Sequence, residues 1–310
     1  MLELKNVSKI YGLGAFGRKK LVAVDNVSFT IKDGEIVSLI GESGSGKTTI
    51  GKMVLKLIDI TKGEMIFDGE KVNNLKGEKL KEYYRKVQGV FQDPFSSYNP
   101  IFKADRIFEM VRREFYKEIK SKEWKEKVIE VIKQVGMNPE EVLNKFPHQL
   151  SGGQLQRFLI ARALLMKVKF LVADEIISML DASTRIDVLN LLGELKKEGL
   201  SILFITHDLS LGYYISDKVV ILYRGSIMEM GNVEKVFNNP KHPYTQMLLE
   251  SVPRLDKKWG KEEIKPFNET IEIEKGMCKY HDRCPYAANC TQPQLVKVED
   301  DHFVACVNAV

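Results

Sequence analysis

The chain has 310 residues, a formal net charge of +5 and 44% hydrophobic residues, which is typical of a globular protein with one large domain and an appendage. The charges are mixed along the sequence, whereas a nucleic-acid binder usually carries a concentrated basic stripe. No apolar stretch approaches the about 18 residues of a membrane-spanning helix, and the N-terminus alternates like a strand rather than a signal peptide. We therefore expect a cytosolic chain.

The first part of the chain predicts β structure. Alternation indicates strands at residues 2–7 and within 21–31, and a third at 63–69 that is closed by an Asp-Gly turn. A buried strand at 34–40 enters a glycine-rich loop, and a helix at 48–58 leaves it.

The second part predicts helices and then an α/β pattern. Residues 105–137 are charged and helical in period, and a longer helix is predicted at 152–166. Strands at 169–173, 201–206 and 218–224 then alternate with helices at 183–197 and 209–216. This alternation predicts a mostly parallel sheet with helices on its faces.

The loop sequence GESGSGKT at residues 41–48 fits the phosphate-binding P-loop pattern. Its glycines let backbone N–H groups converge on phosphate oxygens, and the following helix N-terminus favours anions. Lys47 can reach the β- and γ-phosphates, and the Thr48 hydroxyl can ligate Mg²⁺. A glycine-rich turn without a ligand is the alternative, but the strand–loop–helix context favours a nucleotide site. The predicted binding residues are Gly41, Ser43, Gly44, Gly46, Lys47, Thr48 and Thr49.

An acidic pair, Asp174 and Glu175, follows the buried strand run at 170–173. Asp174 is placed to hold Mg²⁺, and Glu175 can activate an attacking water as general base. Surface acidic pairs after strands are common. This pair follows a P-loop in the order expected of a nucleotide site, which favours the catalytic interpretation.

A second candidate anion site lies in the sequence Leu-Ser-Gly-Gly-Gln at residues 150–154. Ser151 is a good N-cap, and Gly152 and Gly153 leave backbone N–H groups open at a helix start. Alone this motif would indicate an ordinary helix cap. In a chain with a P-loop it indicates a second anion-binding helix N-terminus.

The order of these motifs resembles that of the ATP-binding cassette (ABC) ATPases over roughly residues 1–235. The resemblance implies an α/β P-loop NTPase fold of ABC type, with an antiparallel β subdomain, a RecA-like parallel-sheet core and a helical subdomain at about 93–165. It also implies roles for further residues. Tyr11 stacks on adenine, Gln92 contacts Mg²⁺ and the attacking water, Asp181 lies at a dimer interface, and His207 contacts the γ-phosphate.

In this family two cassettes pair head to tail, so that the signature residues Ser151, Gly152, Gly153 and Gln154 would contact the ATP held by the partner's P-loop and complete its binding site.

One departure from the family pattern is Ile176-Ile177, where Pro-Thr is usual, with Met179 in place of a small residue. The acidic residues are retained. The departure bears on loop geometry, turnover and partner preference.

Three further segments resemble the oligopeptide/dipeptide importer branch: QDPFSSYNP at 92–100, HPYT at 242–245 and a cysteine array. The resemblance implies an ATPase subunit that powers import of peptides or oligosaccharides, with a C-terminal extension at 236–310. It implies a second ATPase subunit, identical or homologous, two transmembrane permease subunits and an extracellular substrate-binding protein. The chain would lie at the cytoplasmic face of the membrane, and nucleic acid is not an expected partner.

The cysteines Cys278, Cys284, Cys290 and Cys306 are spaced by five, five and fifteen residues. Four thiolates suit an iron–sulfur cluster or tetrahedral zinc, although these spacings are wider than usual for zinc. The spacing is also compatible with a disulfide pair, which the cytosol disfavours, and with uncoordinated thiols. The resemblance implies a [4Fe–4S] cluster that acts as a structural staple.

Two further expectations concern the same extension. His281 and His302 could be zinc ligands, but exposed loop histidines are the simpler interpretation. Because no cassette motif lies in the extension, we expect it to have little effect on ATP binding.

Two other functions fit parts of the sequence. The first is a soluble cassette ATPase that acts on nucleic acid or in cluster assembly. DNA-repair cassettes separate the two motifs by a long coiled coil, but here only residues 47–150 lie between Gly46 and Ser151, and a single P-loop argues against the translation-associated cassettes. The second is a poorly hydrolysing subunit of a heterodimeric importer, which the Ile176-Ile177 departure would fit.

Overall fold

The computed structural model describes residues 1–13, 19–252, 277–287, 290 and 294–307. The strands in these ranges are β1 (Leu2–Leu13), β2 (Lys19–Ile31), β3 (Ile36–Ile40), β4 (Lys62–Phe67), β5 (Glu70–Lys71), β6 (Val87–Val90), β7 (Phe170–Asp174), β8 (Ser201–Thr206), β9 (Lys218–Tyr223), β10 (Ser226–Asn232), β11 (Val296–Glu299) and β12 (His302–Val304). The helices are α1 (Lys47–Val54), α2 (Gly77–Lys86), α3 (Arg106–Phe115), α4 (Ser121–Gln134), α5 (Pro139–Val142), α6 (Gly152–Leu165), α7 (Ala182–Lys197), α8 (Leu209–Ile215), α9 (Val233–Asn238) and α10 (Pro243–Glu250).

A four-stranded sheet of order β2-β1-β4-β5 forms the antiparallel subdomain that the sequence predicts. β1 lies between β2 and β4 and pairs antiparallel with both. Asp68 and Gly69 join β4 to β5 with φ of 50° and 81°. Both angles are positive, as the predicted Asp-Gly hairpin turn requires.

The main sheet has the order β11-β12-β10-β9-β3-β8-β7-β6. The strands β9, β3, β8, β7 and β6, which extend to one edge of this sheet, run parallel, as predicted. Every residue of β3, β7 and β8 is buried, because helices cover both faces of a parallel sheet. This is why their sequences are continuous apolar runs without alternation.

The helical part of the chain packs on α6, which follows the signature motif. The predicted helical stretch 105–137 forms two helices, α3 and α4, separated by residues 116–120. The rings of Phe108 in α3 and Phe158 in α6 stack with centroids 5.3 Å apart, and Trp124 and Ile132 of α4 belong to the same core. In the ranges that the structure describes, no helix is long and apolar enough to cross a bilayer.

The C-terminal extension continues the main sheet. β12 pairs antiparallel with β10, and β11 pairs with β12. Cys278, Tyr280 and Cys290 share a buried cluster with Tyr223 and Tyr244. The extension is therefore packed into the cassette core through these residues.

His302 was expected to be an exposed loop histidine, and this expectation is wrong. Its side chain is fully buried, and its Nε2 lies 2.7 Å from Oε1 of the equally buried Glu229. Nδ1 of His302 lies 3.0 Å from Glu299 Oε1. The histidine is buried because β12 brings it over β10, a pairing that the local sequence pattern does not reveal.

Candidate nucleotide-binding site

The predicted P-loop connects β3 to α1. Gly44 and Gly46 have φ of 78° and 102°, in the left-handed region that favours glycine. A Cβ on Gly46 would lie 2.5 Å from the carbonyl oxygen of Ala23, so the close approach of β2 excludes any side chain there. The amide of Gly225 donates to the Ser45 carbonyl at 2.9 Å, which fixes the loop against the turn after β9.

Lys47 is the cation at the centre of this loop, and its side chain is buried. Its Nζ donates to the carbonyl oxygens of Gly41 and Glu42 at 2.7 and 2.9 Å. Burial lowers the pKa of Lys47, whereas the carboxylates of Glu175 and Asp174 oppose that shift. A desolvated ammonium group fits an anionic ligand, because the ligand would restore the stabilisation lost with water.

A cavity of about 660 Å³ lies over the loop, within the usual range for small-ligand sites. Tyr11 and the predicted P-loop residues from Ser43 to Thr49 line the same cavity, although they come from different sheets. The full lining is Tyr11, Leu21, Val22, Ala23, Ser43, Gly44, Ser45, Gly46, Lys47, Thr48, Thr49, Glu175, Arg224 and Lys279. An aromatic ring and a phosphate-type loop in one cavity suit a nucleotide.

Thr48 and Asp174, the predicted Mg²⁺ ligands, lie together. The Thr48 hydroxyl donates a long hydrogen bond, 3.5 Å, to Asp174 Oδ1. Burial raises the pKa of Asp174, and the bond from Thr48 opposes the shift. A hydroxyl and a carboxylate oxygen beside the P-loop are the hard ligands that Mg²⁺ prefers, so the donor set fits.

Glu175 and His207 are also brought together. Glu175 Oε1 lies 3.2 Å from His207 Nδ1, and Glu175 lines the cavity. The backbone of Glu175 has φ 51°, an angle uncommon outside glycine, and its amide donates to Ile205 at 2.9 Å. Strained backbone of this kind clusters at functional sites, where it aims a side chain.

The unusual Ile176-Ile177 pair is explained by packing. Both side chains are buried in the core under α6 and α7, while Met179 is 61% exposed. Beyond them Asp181 still caps α7, accepting from Thr184 N at 3.0 Å. Hydrogen bonds from Ser183 and Thr184 lower the pKa of Asp181. The two buried isoleucines therefore fix the loop between Glu175 and Asp181 by packing in the core, at the positions where Pro-Thr is usual.

The signature residues lie apart from this cavity. Ser151 Oγ accepts from Gln154 N at 3.2 Å, and Gln154 Oε1 accepts from Ser151 N at 2.9 Å, which completes a capping box. A Cβ on Gly153 would meet Thr184 Cγ2 at 2.5 Å, so α6 begins in close contact with α7. None of these residues is among those lining the P-loop cavity, as expected if they serve a partner's nucleotide.

Gln92 follows β6 in an exposed bend. It is not among the residues that line the cavity. Its contact with Mg²⁺ and water stays a prediction.

The extension contacts the P-loop, although no cassette motif lies in it. Arg283 Nη1 donates to Glu42 Oε1 and Oε2 at 3.0 and 2.9 Å. The amide of Glu42 donates to the Tyr244 hydroxyl at 3.0 Å. Lys279 lines the cavity itself. None of these three contacts was predicted from the sequence, although the HPYT motif and the basic residues between the cysteines could have indicated them.

The cysteines of the extension interact with one another. Burial raises the pKa of Cys278 to about 12, and the neighbouring sulfurs of Cys290 and Cys284 add to this. Burial also raises the pKa of Cys284. Across the described ranges, however, no three His, Cys, Asp or Glu side chains are grouped as metal ligands would be.

Comparisons with known proteins agree with this geometry. Residues 24–178 match the family model described as "ABC transporter", and residues 228–290 match "Oligopeptide/dipeptide transporter, C-terminal region". The chain is 42% identical over 308 residues to the oligopeptide transport ATP-binding protein AmiF of Streptococcus pneumoniae, covering 98% of this chain and 94% of AmiF. It is 40% identical over 322 residues to the oligopeptide transport ATP-binding protein AppF of Bacillus subtilis, covering 99% and 96%.

Solved structures agree with the fold. A dimeric ATP-binding cassette, MJ0796, bound to ADP and Pi superposes with a TM-score of 0.68 at 31% identity, covering 75% of this chain and 99% of that one. CbiO1 from Clostridium perfringens, part of an ABC transporter complex, gives 0.67 at 25% identity, covering 77% and 90%. The chain therefore belongs to the ABC transporter ATPases, in the branch of oligopeptide and dipeptide transport ATP-binding proteins.

Proposed function

We propose that the chain hydrolyses ATP to power an importer of oligopeptides or dipeptides, through ATP-driven head-to-tail dimerisation of two nucleotide-binding domains. The observation that carries the proposal is the cavity that joins Tyr11 and the P-loop to Glu175, with His207 3.2 Å from that carboxylate. The relatives are named for oligopeptide transport, which favours peptides over oligosaccharides as the cargo.

Each residue at this site would have a separate role in ATP binding or hydrolysis. Lys47 neutralises phosphate charge, and Thr48 and Asp174 hold Mg²⁺, which when bound neutralises charge on the phosphate oxygens. Glu175 accepts the proton of the attacking water, and His207, beside it, contacts the γ-phosphate and restrains the carboxylate. Tyr11 stacks on the base through its ring.

The second half-site would come from the partner ATPase. We assign Ser151, Gly152, Gly153 and Gln154 to the partner's nucleotide, Asp181 to the interface and Gln92 to the metal and water. The exposed position of Ser151 at the start of α6 supports this, because a helix N-terminus with open amides can receive the partner's γ-phosphate.

We also propose the wider organisation. Residues 1–235 form the cassette, with a helical subdomain at about 93–165, and residues 236–310 form the extension, in line with the two matched families. The complex comprises a second ATPase subunit, two permease subunits and an extracellular binding protein. The chain is held at the cytoplasmic face of the membrane by the permeases, and it uses no nucleic acid.

A [4Fe–4S] cluster on Cys278, Cys284, Cys290 and Cys306 is the remaining proposal, with zinc as the alternative. Cys284 and Cys290 act on the thiol pKa of Cys278, and Cys290 and Cys306 act on that of Cys284, which supports the proposal because such an effect requires proximity. Protein purified without oxygen should be brown and contain about four iron atoms per chain. Zinc in place of iron would favour the alternative, and protein without either metal would refute both.

The test of the catalytic proposal is Glu175→Gln in the assembled transporter. It should keep ATP binding and lower steady-state hydrolysis by about 10²–10⁴-fold, because the general base is lost. Lys47→Ala is the contrasting variant, since it should weaken ATP binding itself, measured by calorimetry. Turnover by Glu175→Gln at the wild-type rate would contradict the role of Glu175 and favour a poorly hydrolysing subunit whose partner performs the chemistry.

A further inference from the structure

We propose that Lys279, from the C-terminal extension, is a nucleotide-binding residue whose ammonium contacts the polyphosphate of the bound nucleotide. The inference rests on the proposed nucleotide site and adds to it a ligand from outside the cassette motifs. Lys279 lines the same cavity as Tyr11 and the P-loop, and its side chain is 25% exposed. It therefore stands where a ligand in that cavity can reach it.

The chain is held at Lys279 and again at the residues that follow it. Arg283, whose side chain is 6% exposed, forms the ion pair with Glu42 of the P-loop. Asp282 Oδ2 lies 3.0 Å from Arg224 Nη2, and the Lys279 carbonyl accepts from Arg224 Nη1 at 3.4 Å. The segment is thus tied to the loop that would hold phosphate, and Lys279 is presented at the cavity wall in a defined position.

Aromatic packing restrains the same segment from behind. The ring of Tyr280 lies 5.3 Å from those of Tyr223 and Tyr244, and all three are buried. Lys279 and Tyr280 are adjacent in a turn, and while the ring of Tyr280 is anchored in the core, the side chain of Lys279 lines the cavity. The position of Lys279 is therefore built into the fold.

Electrostatics favour the movement of the Lys279 ammonium from its present partner, Asp25, to a bound polyphosphate. In the structure Lys279 Nζ lies 3.1 Å from Asp25 Oδ2, and both side chains are partly exposed. Such a partly exposed ion pair contributes little to stability. A polyphosphate carries several negative charges and strong acceptor oxygens. Lys279 can therefore leave Asp25 for the nucleotide at small cost.

The experiment measures affinities of the full-length chain for ATP, ADP and adenosine by calorimetry in the presence of Mg²⁺. Lys279→Ala should weaken ATP and ADP by about tenfold, the value of one lost charge-assisted hydrogen bond, and leave adenosine nearly unchanged. Lys279→Arg should retain most of the affinity, because the charge is kept. Lys297→Ala is the matched control, since Lys297 lies in the same extension but pairs with Asp300 away from the cavity.

Asp25→Asn separates binding from a merely structural role. It breaks the same ion pair but keeps the ammonium, so ATP affinity should be unchanged or higher. Equal losses in Asp25→Asn and Lys279→Ala would show that the pair only ties the extension down, and would overturn the inference. An unchanged affinity in Lys279→Ala would also overturn it, provided that Lys47→Ala weakens binding. Unchanged affinity in both lysine variants would instead refute the nucleotide site.

Discussion

Tyr244→Phe is a direct test of how the extension supports the P-loop. Tyr244 is fully buried, and its hydroxyl accepts the amide hydrogen of Glu42 at 3.0 Å. The substitution removes a single oxygen and leaves the ring against Tyr223, 4.7 Å away, so no cavity of side-chain size is created. The lost bond and the amide left without its acceptor should lower the free energy of unfolding by about 1–2 kcal/mol.

The assay is thermal unfolding followed by circular dichroism. A loss of this size corresponds to a fall in Tm of roughly 1.5–3 °C, because the unfolding entropy of a 310-residue chain is about 0.65 kcal/mol/K. Tyr214→Phe is the matched control, because it also deletes a hydroxyl bond, to Asn190 Oδ1 at 2.9 Å, but Tyr214 is 58% exposed. That variant should change stability by less than about 0.5 kcal/mol. Equal Tm shifts in the two variants would refute the argument that the buried bond to the P-loop is the stabilising feature.

Two further variants test other parts of the structure. Ser151→Arg should leave nucleotide binding by the monomer intact but block ATP-driven dimerisation, which size-exclusion chromatography measures. The reason is that a long side chain would occupy the space of the partner's γ-phosphate. Loss of monomer binding with normal dimerisation would contradict the two-half-site arrangement. His302→Leu should leave the buried Glu229 without its 2.7 Å partner and lower the free energy of unfolding in urea by about 3 kcal/mol. A stability equal to wild type would contradict this and show that the backbone amides of Lys241 and His242, which also donate to Glu229, suffice.

The parts of the fold that the sequence predicts are those with local signals. β3 and β8 are apolar runs of strand length, and the Asp68-Gly69 turn has the residues that its positive φ angles require. The strand–loop–helix order then places the P-loop residues at the end of β3, and the acidic pair at the end of β7. Because carboxyl ends of parallel strands share one edge of the sheet, the motifs converge without further information.

What the sequence does not predict depends on contacts between distant residues. β12 has three residues, too few for a periodic signal, and its pairing with β10 is set by tertiary packing. The bond between Arg283 and Glu42 joins residues 241 positions apart. His302 is buried against Glu229, which lies 73 positions earlier in the chain. The local sequence pattern can indicate that such residues have a partner, but it does not specify which distant residue the partner is.

The place of β12 in the main sheet has a consequence for how the protein matures. During synthesis β10 emerges before β12, so until the later segment arrives β10 presents an open edge with unpaired backbone groups, which invites pairing with another chain. Once β12 and β11 are added, the new edge is the four-residue β11, which carries Lys297 and Glu299. Short, charged edges resist further strand addition. A chain cut after residue 235 would keep the cassette motifs, but its β10 would have no β12 to pair with. Its open edge should make the shortened chain prone to aggregation.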